Sequence, residues 1–296
     1  YVGGFSTNNN LYNDGAFEAN GASLSIGSPL GDGDYSAGYN VQLLLGQRAG
    51  NFAPLQNGGL GNGADPTIKN ANVSLNLPAA NGIELTLGLF DTVVGYETEA
   101  SGENPNVIRS FGYLIEPHTH TGLLASAEVV EGVDISAGLT NGFDSAGVNP
   151  QTNDGHAQFG YVAAASLTVP ESLGFLSGST LYVGYVNGNN ESTGQNAKDD
   201  ELLYIGATLD TPIDNLSLGI AYDDREFANR VDRNADAISF YAAYQLSDSL
   251  SLAGRYEIAD MNPNFAAAGI QGPSNDTMEI TTLTIGYSLW ENVLTR

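Results

Sequence analysis

Hydrophobic and polar residues alternate one for one along most of this chain, in about fourteen short segments whose connections are alternately short and long. The segment Ile83-Glu84-Leu85-Thr86-Leu87-Gly88-Leu89 is the clearest: Ile83, Leu85, Leu87 and Leu89 point one way, and Glu84, Thr86 and Gly88 the other. One face suits hydrocarbon and the other suits water. Repeated along a whole chain, this pattern fits a closed membrane barrel, apolar outside and polar within, better than a soluble sandwich whose polar residues face outward.

The alternation predicts strands near 1–8, 18–28, 34–48, 67–77, 82–91, 120–130, 133–141, 157–169, 178–188, 200–210, 215–224, 236–246, 249–260 and 278–289, followed by a stub from Val293. Lipid-facing sets include Tyr35/Ala37/Tyr39/Val41/Leu43/Leu45, Ala71/Val73/Leu75, Val133/Ile135/Ala137/Leu139 and Leu250/Leu252/Tyr256/Ile258. Short turns such as Glu131-Gly132 and Ser247-Asp248 alternate with long loops near 49–66, 92–119, 142–156, 189–199, 225–235 and 261–277. That asymmetry separates periplasmic turns from external loops. The expected fold is all-β, an antiparallel up-and-down transmembrane β-barrel in one domain over residues 1–296. An up-and-down bacterial barrel needs an even count, so about 16 strands are expected in the full protein, about 14 of them complete here, with a closing strand still to come after Arg296. Such a ring encloses an aqueous channel. Any helix should be short and sit in a loop.

Composition narrows the choice. No apolar run reaches the ~20 residues of a spanning helix, and mean hydropathy is −0.13, near neutral as expected when only every second residue meets lipid. Nine basic against 34 acidic residues give a formal charge of −25, which excludes nucleic acid as a partner. There is no cysteine, so neither a disulfide framework nor thiol chemistry is available.

One stretch carries a fingerprint. Phe90-Asp91-Thr92-Val93-Val94-Gly95-Tyr96-Glu97 leads through Asn104-Pro105-Asn106-Val107-Ile108-Arg109-Ser110 to Glu116-Pro117-His118-Thr119-His120-Thr121-Gly122. It resembles the OmpL-like β-barrel porins of Gram-negative outer membranes, with a G-x-F-D-x-x-x-G-Y-E strand end, an N-x-N-x-x-R-S loop and an H-T-G strand start; Tyr287 to Arg296 is similar to that family's approach to its closing hairpin. The resemblance implies passive transport across the outer membrane and brings no catalytic residues with it.

The loop 92–119 is the candidate constriction, because such barrels commonly fold one long loop into the lumen. Its candidate residues are Asp91, Glu97, Glu99, Glu103, Arg109, Glu116 and His118, with Arg109 expected to pin the loop through Glu97 or Glu116. Candidate lumen-lining residues are Glu84, Asp134, Asp223, Arg255 and Glu257. The acidic surplus predicts a preference for cations. His118 and His120, two apart, with Glu116 two further back, are weighed as a metal set, but the chain's three histidines form no closed set, and no metal is expected. No cofactor is expected either, beyond Ca²⁺ at acidic external loops such as Asp144/Asp154 and Asp199/Asp200/Glu201, where the EF-hand spacing is absent.

Two other classes are weighed. A hydrolase could be imagined on Ser110 or Ser126 with His118 or His120, yet no motif fixes that geometry, and no enzymatic activity is expected. A structural or anchoring barrel, part of a larger envelope assembly, would use the apolar loop 261–277. Expected partners are outer-membrane lipid, further copies of the chain, with a trimer favoured by barrel size and by small outward residues such as Ala125, Ala127, Ala163 and Ala165, and other envelope proteins.

Overall fold

A computed structural model describes residues 21–46, 66–79, 81–144, 151–153, 156–188, 199–227, 234–261, 277–291 and 293–296. The strand expected at 1–8, the loop 261–277 apart from its first and last positions, and Asp154 lie outside the described residues. The strands are β1 (Ala22–Ser28), β2 (Ala37–Leu45), β3 (Thr67–Leu77), β4 (Ile83–Asp91), β5 (Thr119–Val130), β6 (Val133–Thr140), β7 (Gln151–Asn153), β8 (His156–Gln158), β9 (Gly160–Thr168), β10 (Thr180–Gly188), β11 (Asp200–Asp210), β12 (Leu216–Glu226), β13 (Asn234–Gln245), β14 (Leu250–Met261), β15 (Met278–Trp290) and β16 (Val293–Thr295). The one α-helix among the described residues, α1 (Phe111–Ile115), lies in the loop between β4 and β5.

All strands except β7 and β8 form one 14-stranded antiparallel sheet, each pairing with its neighbour in chain order. β7 and β8 make a separate hairpin; β7 lies in an expected loop, while the strand expected at 157–169 is divided at Phe159 into β8 and β9. Among the described residues β1 and β16 are the two edges of the large sheet.

The burial pattern inverts that of a soluble sheet. On β15, Leu283 and Ile285 are 82% and 65% exposed, while Thr282 and Thr284 between and beside them are 8% and 7% exposed. Apolar side chains outside and polar ones inside are what a hydrocarbon surround requires, because the sheet pairs every interior backbone group and leaves only side chains to choose a solvent. Inside, β13 and β14 present Ala235, Ala237 and Ala259, all fully buried, and this small-residue floor takes the apolar side of α1, Phe111 and Ile115. A second interior cluster joins Phe90, Val94, Leu124, Val162, Val186 and Leu202.

Two local departures from strict alternation matter. Tyr35 lies in a turn at φ 57° instead of opening a strand, and β2 begins only at Ala37. Between β2 and β3 the register slips by one, with Gln42 opposite Asn70 but Leu43 opposite Ile68. Lys69 is the extra residue of this bulge, so the period-two rule no longer sends it to the lipid face with Ala71 and Val73.

Candidate functional site

The loop of residues 92–118 leaves β4, crosses to strands far along the sheet, and returns to β5. Val94 packs at Gly184 of β10, and Tyr96 reaches Gly219 of β12; a Cβ on either glycine would collide with these side chains, so both positions are open because only hydrogen stands there. Tyr96 then stacks on Tyr241 of β13, ring centroids 4.0 Å apart at 16°. Burial, and secondarily the adjacent Glu97, push the Tyr96 hydroxyl up to about 12, so it stays a neutral phenol.

Arg255 of β14 is the centre of the attachment. Its Nη1 lies 2.7 Å from Glu97 Oε1 and also donates to the Ile108 carbonyl at 2.7 Å, while Nη2 donates to the Arg109 carbonyl at 2.8 Å. One guanidinium thus holds two stretches of the loop at once, which its planar fork allows and an ammonium would not. Glu97 further accepts from the Ser110 N–H at 3.1 Å and from the Tyr241 hydroxyl at 3.3 Å. Burial raises the Glu97 carboxyl, and the Arg255 charge pulls against that rise.

Glu257, two residues further on β14 and fully buried, accepts from the N–H groups of Phe111 and Gly112 at 2.5 and 3.2 Å and from the Ser239 hydroxyl at 3.0 Å. It satisfies two of the free donors at the start of α1, whose cap Ser110 accepts from the Tyr113 N–H at 2.9 Å. Arg225 of β12 closes the far end of the helix: Nη1 donates to the Ile115 carbonyl at 2.8 Å, Nη2 pairs with Asp200 at 2.7 Å, and the guanidinium lies 4.1 Å from the Phe143 ring centroid. Asp200, weighed as part of a calcium loop, is thereby paired with a wall arginine. Next to it, burial first and the charge of Asp223 second hold the Glu116 carboxyl well above the usual carboxylate range.

The remaining candidates distribute as follows. Arg109 is buried in the loop, donating to the Glu99 carbonyl at 2.6 Å and the Ser101 hydroxyl at 3.4 Å, with its guanidinium over the Tyr113 ring; the 2.7 Å cation on Glu97 is Arg255. Arg296 donates to the Ser101 and Asn104 carbonyls of the same loop. Glu103 is exposed and accepts from Thr98 at 3.1 Å. Asp91, half-exposed at the end of β4, pairs with Lys69 at 2.6 Å and accepts from Asn70 at 3.2 Å. His118 and His120 do not converge: Nε2 of His118 meets the Tyr113 carbonyl at 3.1 Å, and Nε2 of His120 meets the Thr92 hydroxyl at 3.1 Å. Burial lowers the His118 imidazole below its ordinary value. Among the described residues no cluster of three or more acidic or histidine side chains is arranged to hold a metal.

Away from the docked loop, on β4 to β6, the polar face of the sheet is different in kind. Glu84 and Asp134 are exposed on the polar faces of β4 and β6, with Glu128 between them on β5. Around them runs a ladder of hydroxyls: Ser74 to Thr86 at 2.9 Å, Ser126 to Ser136 at 2.8 Å, Ser166 to Asp134 at 3.0 Å and Thr168 to Thr180 at 3.1 Å. Lys69 was missed by sequence reasoning; the signal would have been the cost of a lysine on a lipid face, which argues for a register slip. Tyr241 and Gly219 were missed as well, and their pairing across β12 and β13 has no local sequence mark.

Comparison with known proteins bears on the family and the fold. The model of the family described as "Putative beta-barrel porin-2, OmpL-like" matches residues 3–296. No curated protein sequence matches the chain. Among solved structures, OmpF of Salmonella typhi, in complex with daunomycin, superposes with a TM-score of 0.63 at 12% identity, covering 93% of this chain and 79% of that one. The outer-membrane channel DcaP of Acinetobacter baumannii gives 0.57 at 9% identity, covering 92% and 75%. OmpT of Vibrio cholerae in its trimer form gives 0.54 at 16% identity, covering 92% and 76%.

Proposed function

Because the chain belongs to the OmpL-like β-barrel porin family of the Gram-negative outer membrane, we propose that it is a water-filled diffusion channel that prefers cations, with the loop of residues 92–118 as its narrowest part. The observation that carries the preference is where the positive charges are spent. Of the described basic residues, Arg225, Arg255 and Arg296 hold the loop to the wall, Arg109 ties the loop to itself, and Lys69 pairs with Asp91. The exposed carboxylates on β4 to β6, Glu84, Glu128 and Asp134, have no described cation within ion-pair distance, which supports a negative field in the free lumen.

Small hydrophilic solutes would pass along the hydroxyl ladder, which offers exchangeable hydrogen bonds at each step. The test is the reversal potential of the purified protein in a planar bilayer under a potassium chloride gradient. Ohmic steps with a cation-selective potential support the reading, and an inserted barrel that passes no current overturns it.

Assembly as a homo-oligomer, with a trimer first among the choices, belongs to the same proposal. Its support is an in-register outward row of small residues, Ala125 opposite Ala137 and Ala137 opposite Ala163, across β5, β6 and β9, which lets another barrel approach closely. Chemical crosslinking in outer-membrane vesicles, read by mass, decides between monomer and trimer.

A further inference from the structure

On the polar face of β2 to β4 the wall is hollowed into a recess of about 290 Å³. Its shape follows from a glycine. Gly38 lies opposite Ser74, and a Cβ on it would stand 2.7 Å from the Leu30 N and 2.9 Å from the Ser28 O, so the chain leaving β1 folds across β2 only because residue 38 has no side chain. The turn that follows is tied to the end of β3: Asn76 Nδ2 donates to the Gly33 carbonyl at 3.2 Å, and the Asn76 carbonyl accepts from the Tyr35 N–H at 2.9 Å. Pro29 and Leu30 are thereby brought into the lining as its apolar part, beside Asn72, Ser74 and Glu84 as its polar part.

The hydrogen bonds of the polar part fix where its protons point. Thr86 Oγ1 donates to Glu84 Oε1 at 3.2 Å, which spends the one proton of that hydroxyl. Ser74 Oγ, 2.9 Å from Thr86 Oγ1, must then be the donor of the second bond. Both hydroxyl protons run toward Glu84, and what remains for a visiting solute is acceptors, the lone pairs of Ser74 and the second carboxylate oxygen of Glu84. Asn72 adds to them, since its Nδ2 donates to the Leu89 carbonyl at 2.8 Å and its Oδ1 has no described partner. No described lysine or arginine lines the recess.

We propose that this recess is a solute subsite for short primary alkylammonium ions, with the ammonium on Glu84 and Ser74 and the alkyl stem against Pro29 and Leu30. An ammonium carries three donors and no acceptor, the complement of this lining. At ~30 Å³ for a water-sized unit, the volume suits a solute of about ten non-hydrogen atoms or fewer. A phosphate or carboxylate would meet the Glu84 charge and find no cation, and a bare potassium ion would leave the apolar part unused. The subsite names a solute class for the cation-preferring channel and rests on that reading for its part in transport; binding itself needs no current. Occupancy is weak, because a conducting site has to release what it takes.

Binding and passage are measured separately. Saturation-transfer NMR on the protein in lipid nanodiscs, with protein-free nanodiscs as the blank, reports binding of n-butylammonium, and planar-bilayer recording with the same ion reports passage. Affinity should be millimolar and should rise from methylammonium to n-butylammonium by up to about fourfold per methylene, the limit for full burial. Glu84→Gln keeps the shape of the side chain and should weaken binding about tenfold, the loss of one hydrogen bond to a charged group; Ser74→Ala should weaken it by less. Asp134→Asn removes an equal charge two strands away and should shift the reversal potential while changing binding less than about twofold. Binding that survives Glu84→Gln, that falls as far with Asp134→Asn, or that n-butanol or glucose matches overturns the subsite, and so does a flat series from methylammonium to n-butylammonium. Binding without current leaves the subsite standing and removes the channel reading; a cation-selective current in a protein that binds no n-butylammonium does the reverse.

Discussion

Arg255 on β14 holds Glu97, 158 residues earlier in the chain, at 2.7 Å, and both side chains are almost wholly withdrawn from solvent, 1% and 2% exposed. Removing one partner leaves the other buried and uncompensated, a change worth about 3 to 5 kcal/mol. Arg255→Ala should therefore lower thermal stability markedly and raise single-channel conductance as the loop comes away. Arg255→Lys should rescue only part of either, because a lysine cannot reach Glu97 and the Ile108 and Arg109 carbonyls together. Differential scanning calorimetry and planar-bilayer recording on the same preparations check both effects.

Lys69 and Asp91 make a pair of the same length, 2.6 Å, but the Asp91 side chain is 52% exposed. Water screens it, and the interaction contributes at most about 1 kcal/mol. Lys69→Met should leave stability nearly unchanged while freeing a carboxylate, so the reversal potential should move further toward cations. Asp91→Asn should move it the opposite way. Equal shifts in stability for Lys69→Met and Arg255→Ala would refute this contrast.

Gly219 is kept bare by the Tyr96 ring. Gly219→Ala places a methyl where that ring now lies, and overpacking of this kind costs about 1 to 3 kcal/mol. The stack of Tyr96 on Tyr241 should be lost, with a weaker near-ultraviolet circular dichroism signal and a wider conductance distribution. An unchanged tyrosine signal would show that the ring is not confined there.

His118 sets an acid limit. Burial depresses its imidazole, so the folded protein keeps it neutral where an unfolded chain would already have taken up a proton. The unfolded state then binds more protons as pH falls through about 6.5, and stability declines from there until the folded protein is protonated as well. His118→Gln, which can still donate to the Tyr113 carbonyl, should flatten that part of the stability profile in urea titrations between about pH 7 and pH 5. A profile identical to the parent's would sink the assignment.

Much of this fold was legible in the chain. β3 matches its expected bounds, β6 and β12 fall within a residue or two, and loop 92–119 begins and ends where expected to within one residue, because period-two alternation and Gly/Pro turns are both local signals. That Arg255, Glu257 and Asp223 lie on the polar face of their strands was legible for the same reason. Their partners were not, since Glu97, Phe111 and Glu116 are brought near them by the crossing of the loop from β4 toward the late strands, and nothing near any of them in sequence records the meeting. Lys69 was hidden by a slip of one residue, and α1 by its length, five residues with no room for a helical period.

Among the described residues, the loop's charged attachments to the wall come from β12, β14 and Arg296, each more than a hundred residues after the loop itself. During assembly the apolar seat of Val94 on β10 is available early, but the charged anchors come only with the later strands. Connectivity therefore puts these anchors late: the charged hold on the loop forms only once β12, β14 and Arg296 are in place. Contacts of such long sequence separation are slow to form, so the passage of a wide, leaky intermediate into a narrow mature form should be a distinct kinetic phase of insertion.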